Sequence, residues 1–335
     1  MVTLKDIAQK AGVNKSTASR ALSGKGVISG EKRAEILKIA DELGYIPNAS
    51  ARVLAGEKAK TIGIILPEID CNYYASVVGT IENRLKEIGY SLIIGQTGFE
   101  FDNELHYLEL FARKNLDGII FDLYNHNKFM MEFKRIKKSL NVPVVFIECF
   151  NALTDYDVIN IDNHHGVDLA VGHLKSFGHQ RIGFISEFLS SPVRLPAFEA
   201  SLEKHGLPID HNLIKIGKER LEEGGYLRMQ ELLSTNPSVT AVFASYDTMA
   251  QGAMKAIKEH GLRIPEDISI VGFDNIRESA YFSVPLTTVA PPVTEMGGIA
   301  VNILMDKIKN GDSTLIQHIS LKPRLVIRDS TAKSK

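Results

Sequence analysis

Residues 3–22 read TLKDIAQKAGVNKSTASRAL, and the spacing of their apolar positions decides the fold of the amino-terminal segment. Leu4, Ile7, Ala8 and Ala11 fall at i, i+3, i+4 and i+7, one face of a helix, and Gly12 ends the pattern. Beyond that corner, Ala18, Ala21 and Leu22 form the hidden side of a second short helix. Ser16, Ser19 and Arg20 face away from it, with Lys15 at its leading end. Two short helices joined through a glycine-containing turn make a helix-turn-helix, whose second helix would present those polar side chains to the major groove of DNA.

Outward from this pair, residues 31–44 (EKRAEILKIADELG) carry a third helical pattern, with Ser29 as N-cap and Gly44 as its stop. It closes a three-helix core. The run ASARVLAG at 49–56 is competent to form a helix but has no core partner of its own. It reads either as a linker or as a hinge helix that folds on DNA and pushes Leu54 between base steps of the minor groove, where unstacking costs about a few kcal/mol.

Charge separates this head from the rest of the chain. Residues 1–60 hold eleven Lys or Arg against six Asp or Glu, a net +5, so the remainder carries 28 against 34, a net −6. A near-neutral total of −1 therefore hides a basic head on an acidic body, which suits a phosphate backbone at one end only. From Thr61 onward, short runs rich in Val and Ile (TIGIILP, SLIIGQ, DGIIFDL, PVVFIE, then RIGFISE, TAVFAS, ISIVGF) alternate with amphipathic helical stretches. That alternation predicts two successive doubly wound α/β units with parallel sheets and a ligand cleft at the carboxyl ends of their strands. The polar tail DSTAKSK reads as disordered.

At 335 residues with 44% hydrophobic content, the chain is long enough for more than one sizeable core. With no apolar run near 18 residues and no charged-then-apolar start, neither a membrane span nor a signal peptide is expected, and the protein is expected in the cytoplasm. Cys71 and Cys149 imply no disulfide framework and no metal pair. No metal and no cofactor are expected. GKGVISG at 24–30 lacks dinucleotide-loop spacing, and no Walker, G-x-S-x-G or H-E-x-x-H string occurs, so no enzyme is expected. His164 and His165, adjacent on a helix, point about 100° apart and read as solvated helix-start residues rather than metal ligands.

TLKDIAQKAGVNKSTASRAL, then LGYIPNASARVLAG and TIGIILP, resemble the LacI/GalR family of bacterial transcription regulators. The likeness continues through DGIIF at 117–121, NIDNHHG at 160–166, GHQRIGFI at 178–185, SYDTMAQGAM at 245–254, IPEDISIVGFDN at 264–275 and PLTTV at 285–289. The resemblance implies a small all-α helix-turn-helix head on a two-lobed body like the periplasmic binding proteins. Its segments are a DNA-binding domain at 1–46, a hinge helix and linker at 47–60, an amino-terminal lobe at 61–159 with 291–319, and a carboxy-terminal lobe at 160–290 with 320–330. It also implies a homodimer on a near-palindromic double-stranded DNA operator, controlled by a small-molecule effector, a carbohydrate or a derivative.

Carried over position by position, Lys15 and Ser16 choose among operator sequences and Arg20 reaches a guanine. Thr3, Thr17, Ser19 and Asn48 take backbone-phosphate or capping roles, with Thr3 and Asp6 also matching a capping box. Arg52 and Leu54 belong to the hinge helix. For the effector, the family positions fall at Tyr73, Tyr74, Glu148, Arg194 (ahead of the LPAF helix), Arg220, Tyr246 and Asp274. Arg194 and Asp274 suit a clamp on vicinal hydroxyls. The chain departs from many sugar-responsive members with Tyr246 in place of Asn, Pro291 in place of Gln, and Arg220 near an aromatic stacking position. Two arginines raise the expectation of an acidic ligand, a uronate or a sugar phosphate.

Two alternatives stand beside this reading. A catabolite-control regulator with a phosphorylated protein corepressor would use an arginine pair on the helix after the last crossover, and EMGGIAVNILMDK has none. A solute-binding protein would explain the cleft but not the basic head. Leu54→Ala is expected to weaken specific operator binding far more than nonspecific binding. Titrations against both DNAs check this, and an equal loss in the two refutes the wedge.

Overall fold

The computed structural model describes residues 2–24, 26–45, 58–123, 126–137, 140, 142–149, 155–236, 238–311 and 315–335. The chain divides into two units, Met1–Ala59 and Lys60–Lys335. Asn48, Arg52 and Leu54, with the expected hinge helix around them, lie outside the described residues.

In the first unit, α1 (Leu4–Lys10), α2 (Lys15–Ser23) and α3 (Gly30–Glu42) surround a core of Ile7, Ile36 and Ile39 with Ala8, Ala11, Ala18, Ala21 and Ala40. Alanine at so many contacts lets short helices approach closely, since the side chains at a contact set the interaxial distance. Capping fixes where they start. The Asp6 carboxylate accepts from Thr3 N–H at 2.8 Å and Thr3 Oγ1 at 2.7 Å, and the Asn14 side chain accepts from Thr17 N–H at 2.9 Å. Gly12 and Gly24 hold left-handed backbone at φ 64° and 74°, which is why each helix stops there.

The second unit holds two six-stranded sheets. The first is built from β1 (Thr61–Leu66), β2 (Ser91–Gln96), β3 (Gly118–Asp122), β4 (Val144–Ile147), β5 (Asp157–Ile161) and β11 (His318–Leu321), in the order β11-β5-β4-β3-β1-β2. The second contains β6 (Ile182–Glu187), β7 (Ile214–Gly217), β8 (Ala241–Ala244), β9 (Ser269–Phe273), β10 (Thr287–Ala290) and β12 (Arg324–Val326), in the order β12-β10-β9-β8-β6-β7. Pairing is parallel except between β10 and β12, an antiparallel edge that the strand alternation did not reveal. Helices α4 (Asn72–Glu87), α5 (Phe101–Arg113), α6 (His126–Lys137) and α11 (Val293–Asn310) serve the first sheet. Helices α7 (Asn163–Ser176), α8 (Ser191–Lys204), α9 (Leu221–Thr235) and α10 (Asp247–Glu259) serve the second.

The chain passes between the sheets after β5, after β10 and after β11, so each lobe is discontinuous. The first sheet's strands run on to Ile161 and Leu321, just past residues 159 and 319. Each lobe has its own aromatic cluster, with Phe121, Phe133 and Phe146 in one and Phe184, Phe198 and Phe243 in the other.

The expected disorder of the tail is corrected. Ser330 is fully buried, accepting from Thr287 N–H at 2.8 Å and donating to Ile270 O at 2.6 Å. Ala332 and Ser334 bond onward to Ser269 and Phe177, and Lys335 pairs with Asp267 at 2.8 Å. Small hydroxyls that look like linker composition here complete the hydrogen bonding of buried strand ends.

Glycines permit the closest helix contact in the body. A Cβ on Gly252 of α10 would lie 1.8 Å from Glu222 O, and one on Gly225 of α9 would lie 1.8 Å from Met249 O. Neither backbone can retreat without unpacking α9 from α10. Gly252→Ala is therefore expected to destabilise the body by at least about 1–3 kcal/mol, the usual cost of overpacking. Urea unfolding measures it, and a midpoint equal to wild type contradicts the contact.

Candidate functional site

Two surfaces carry the chemistry, one in each unit. In the head, Lys15, Ser16, Ser19 and Arg20 are exposed on α2 while Ala18 and Ala21 are buried beneath them. Thr17 is half-buried, its Oγ1 donating to the N-capping Asn14 at 2.9 Å. Thr3 is exposed at the start of α1. Arg20 folds back along its helix, its Nε 3.3 Å from Ser16 O. Cationic and hydroxyl groups thus share one face of a short, capped helix, the composition that reads base edges and phosphates.

In the body, Tyr73, Tyr74, Glu148, Arg194, Arg220, Tyr246 and Asp274 all line one open-mouthed cavity. Strand ends place them. Glu148 follows β4, Asp274 follows β9, Tyr246 follows β8, and Tyr73 and Tyr74 open α4 after β1. Glu148 and Asp274 take φ of 52° and 104°, and Leu221 beside Arg220 takes 55°. Non-glycine residues held there store backbone strain, and such strain concentrates at binding sites.

Arg194 lies inside α8, not ahead of it. Its Nη2 is 3.5 Å from Asp274 Oδ1, its Nε donates to Asn163 Oδ1 at 3.3 Å, and its Nη1 donates to Ser245 O. The guanidinium also sits 3.9 Å from the centre of the Phe273 ring. Arg220 is bidentate on Glu68, at 2.8 and 2.7 Å, and lies over Phe99 at 4.2 Å. Glu68 follows β1 and Arg220 precedes α9, so this pair bridges the two lobes. Tyr246 accepts from Leu221 N–H at 2.9 Å through its hydroxyl, which anchors the Arg220 segment.

Burial governs the titration of the carboxyls. It pushes Glu148 up to about 7 against the pull of the Ile161 N–H and Arg194. It pushes Asp274 up to about 6, again against Arg194. Asp122 is held well above the usual carboxylate range, first by burial and then by the charge of Glu148.

Sequence reasoning missed several residues. Asp122, only 4% exposed, ends the otherwise apolar β3 and lines the cavity. A lone acid closing a buried strand was the signal that marked it. Glu187 lines the cavity but is held by the turn before the next helix, accepting from Leu189 N–H, Ser190 N–H and Ser190 Oγ. Asp247, fully buried, accepts from Ile276 N–H at 2.9 Å and from Thr288 Oγ1, which steadies the loop that carries Asp274.

The head matches a family model described as bacterial regulatory proteins, lacI family, over residues 3–48. Residues 171–331 match one described as periplasmic binding protein-like domain. The chain is 34% identical to the HTH-type transcriptional repressor PurR of Proteus mirabilis, over 99% of this chain and 97% of that one. Among solved structures it resembles a lac repressor dimer bound to operator and the anti-inducer ONPF, at TM-score 0.88 and 26% identity over 99% of each chain. A ribose-bound LacI family transcriptional regulator from Enterococcus faecium matches at TM-score 0.71 and 28% identity, over 82% of this chain and all of that one. Head, body and cavity thus agree with likeness along nearly the whole length, and the chain belongs to the lacI family of bacterial regulatory proteins.

Proposed function

We propose that this chain is a repressor that binds a near-palindromic operator as a homodimer and is controlled by a polyhydroxylated effector without negative charge in the cavity of its body. In the head, Lys15 and Ser16 select the operator sequence, Arg20 contacts a guanine, and Thr3, Thr17, Ser19 and Asn48 engage or position the backbone. Arg52 and Leu54 act in the hinge. In the body, Tyr73, Tyr74, Glu148, Arg194, Arg220, Tyr246 and Asp274 form the effector site, between lobes at 61–159 with 291–319 and 160–290 with 320–330.

The observation that carries this reading is the convergence of those seven residues, scattered over 200 positions, on one cavity. The partners of its charges shape the ligand. Arg220 is neutralised by Glu68 and Arg194 by Asp274, so among the described residues lining the cavity each arginine is already paired and none is left to greet an acidic sugar. The uronate or sugar phosphate raised by the sequence therefore gives way to a ligand without negative charge. An Arg194–Asp274 pair matches adjacent donor and acceptor oxygens of a polyol. The ribose-bound relative and the operator-bound lac repressor dimer support the same class of control. An effector shifts DNA affinity only by its differential affinity for two lobe arrangements, and about 5.5 kcal/mol carries a 1:99 equilibrium to 99:1.

Selection from a random pool of DNA duplexes tests the function directly. A near-palindrome should emerge, and Arg20→Ala should weaken binding to it by about 1–3 kcal/mol while relaxing preference at one base position. Enrichment of no sequence, or undiminished specificity in the variant, overturns the assignment. The cavity makes a second prediction through Glu148. Its carboxyl is raised from 4.5 to about 7, so across that window the folded chain holds a proton that the unfolded chain has lost. Its contribution to stability falls as pH rises. Glu148→Gln should thus melt progressively higher relative to wild type between pH 5 and pH 8. A melting difference that stays constant across that range contradicts the burial of this carboxyl.

A further inference from the structure

The cavity contains a second recognition point that the Arg194–Asp274 clamp does not use. Asp122 closes β3 beside Ile147 of β4, one residue before Glu148, so two carboxyls stand together at neighbouring strand ends. Tyr73 lines the same cavity, its hydroxyl held above its ordinary range by burial, then by the charges of Glu148 and Asp122. Among the described residues, Asp122 Oδ2 and the Tyr73 hydroxyl are buried and have no hydrogen-bond partner. Asp122 is 4% exposed and lines the cavity. An acceptor left bare in so dry a place costs stability unless something supplies a donor.

The charge balance says what kind of donor. Asp122, Glu148, Glu187 and Asp274 line the cavity against Arg194 and Arg220, and Glu68 already occupies Arg220. Glu187 is satisfied by backbone and serine donors, and Asp274 by Arg194. Glu187 aside, Asp122 and Glu148 are therefore the carboxyls that no arginine pairs, and burial holds both toward the protonated form while the cavity is empty, a form that a cationic ligand would reverse. A divalent metal does not match this pair, since among the described residues no three acidic, His or Cys side chains are placed to hold one. An anion would find Arg194 and Arg220 already paired. A group that carries positive charge on several N–H donors satisfies Asp122, Glu148 and the Tyr73 oxygen together.

We propose that the effector carries an ammonium group, as an amino sugar does, and that Asp122 with Glu148 and Tyr73 forms its subsite. This rests on the cavity being the effector site and adds to it a charged group on the polyol. Phe99 and Leu123 supply apolar walls around the cavity, and partial exclusion of water strengthens the contact.

Two measurements test the subsite. In calorimetric titrations, glucosamine, galactosamine and mannosamine are paired with glucose, galactose and mannose. At least one amine should bind tenfold or more tighter than its hydroxyl counterpart, and Asp122→Asn should erase that margin. A neutral sugar that binds as well as or better than its amine overturns the ammonium subsite but leaves the polyol site standing. Silence from both sets counts against the subsite and the sugar reading alike. The second measurement needs no ligand. A carboxyl buried for a ligand burdens the empty protein, so Asp122→Asn should melt above wild type when no sugar is present. A lower melting temperature overturns the proposal by making Asp122 a structural group.

Discussion

The Arg194 guanidinium is the interaction on which the geometry of the cavity depends. A cation mostly withdrawn from water must be matched from several sides, and four groups meet to match this one: the Asp274 turn after β9, the Ser245 carbonyl just past β8, Asn163 at the start of α7, and the Phe273 face. Leaving one partner of such a pair alone in the interior costs about 3–5 kcal/mol. That cost is what keeps Asp274 at φ 104°, a conformation its own backbone disfavours. Asp247 reinforces it from below through Ile276 and Thr288. The carboxylate is thus presented to the cavity by a network rather than by its own preference.

Across the cleft, the forces are of a different kind. Arg220 and Glu68 join the two lobes through a bidentate pair that is only partly exposed, and Asn72 reaches Glu278 at 3.0 Å nearer the surface. The former is the stronger tie because its geometry is fork-to-fork and its surroundings are drier. A ligand entering the cavity meets lobes already linked, so it acts by changing how well that linkage fits. Arg220 stands where the family resemblance places a stacking aromatic, and it covers Phe99 instead. The flat guanidinium keeps a planar surface there while adding the bridge.

The sequence revealed the architecture well and the electrostatics of the cavity poorly. Helix faces in the head were legible because Ala and Leu positions repeat with the helical period, and the capping residue Ser29 stands before the third helix. Strands were legible because buried parallel strands are almost wholly apolar. What periodicity does not encode is pairing in space. Glu68 and Arg220 are 152 positions apart, and no local pattern joins them, so Arg220 read as a free cation awaiting an acid. The tail misled for the same reason. Ser330 and Ala332 have linker composition, and only their partners Thr287, Ile270 and Ser269 make them part of the interior. Asp122 lay in plain view as the one charge on an apolar strand.

Segregation of charge explains why recognition of DNA falls to the head. Counterion release scales with the number of phosphates neutralised, and residues 1–60 carry a net +5 while the remainder carries −6. On balance the acidic body is repelled by phosphate. At physiological salt, a Debye length of about 8 Å confines its repulsion to close approach. Within that range the exposed groups of α2 dominate, and they sit on a helix whose start is fixed by Asn14 and whose underside is packed with alanine. Little backbone freedom remains to be lost when such a helix docks, so the entropic cost there falls mainly on ordering the Lys15 and Arg20 side chains. On the proposed reading, specificity resides in side-chain identity at Lys15, Ser16 and Arg20, while the acidic body remains free to follow effector chemistry.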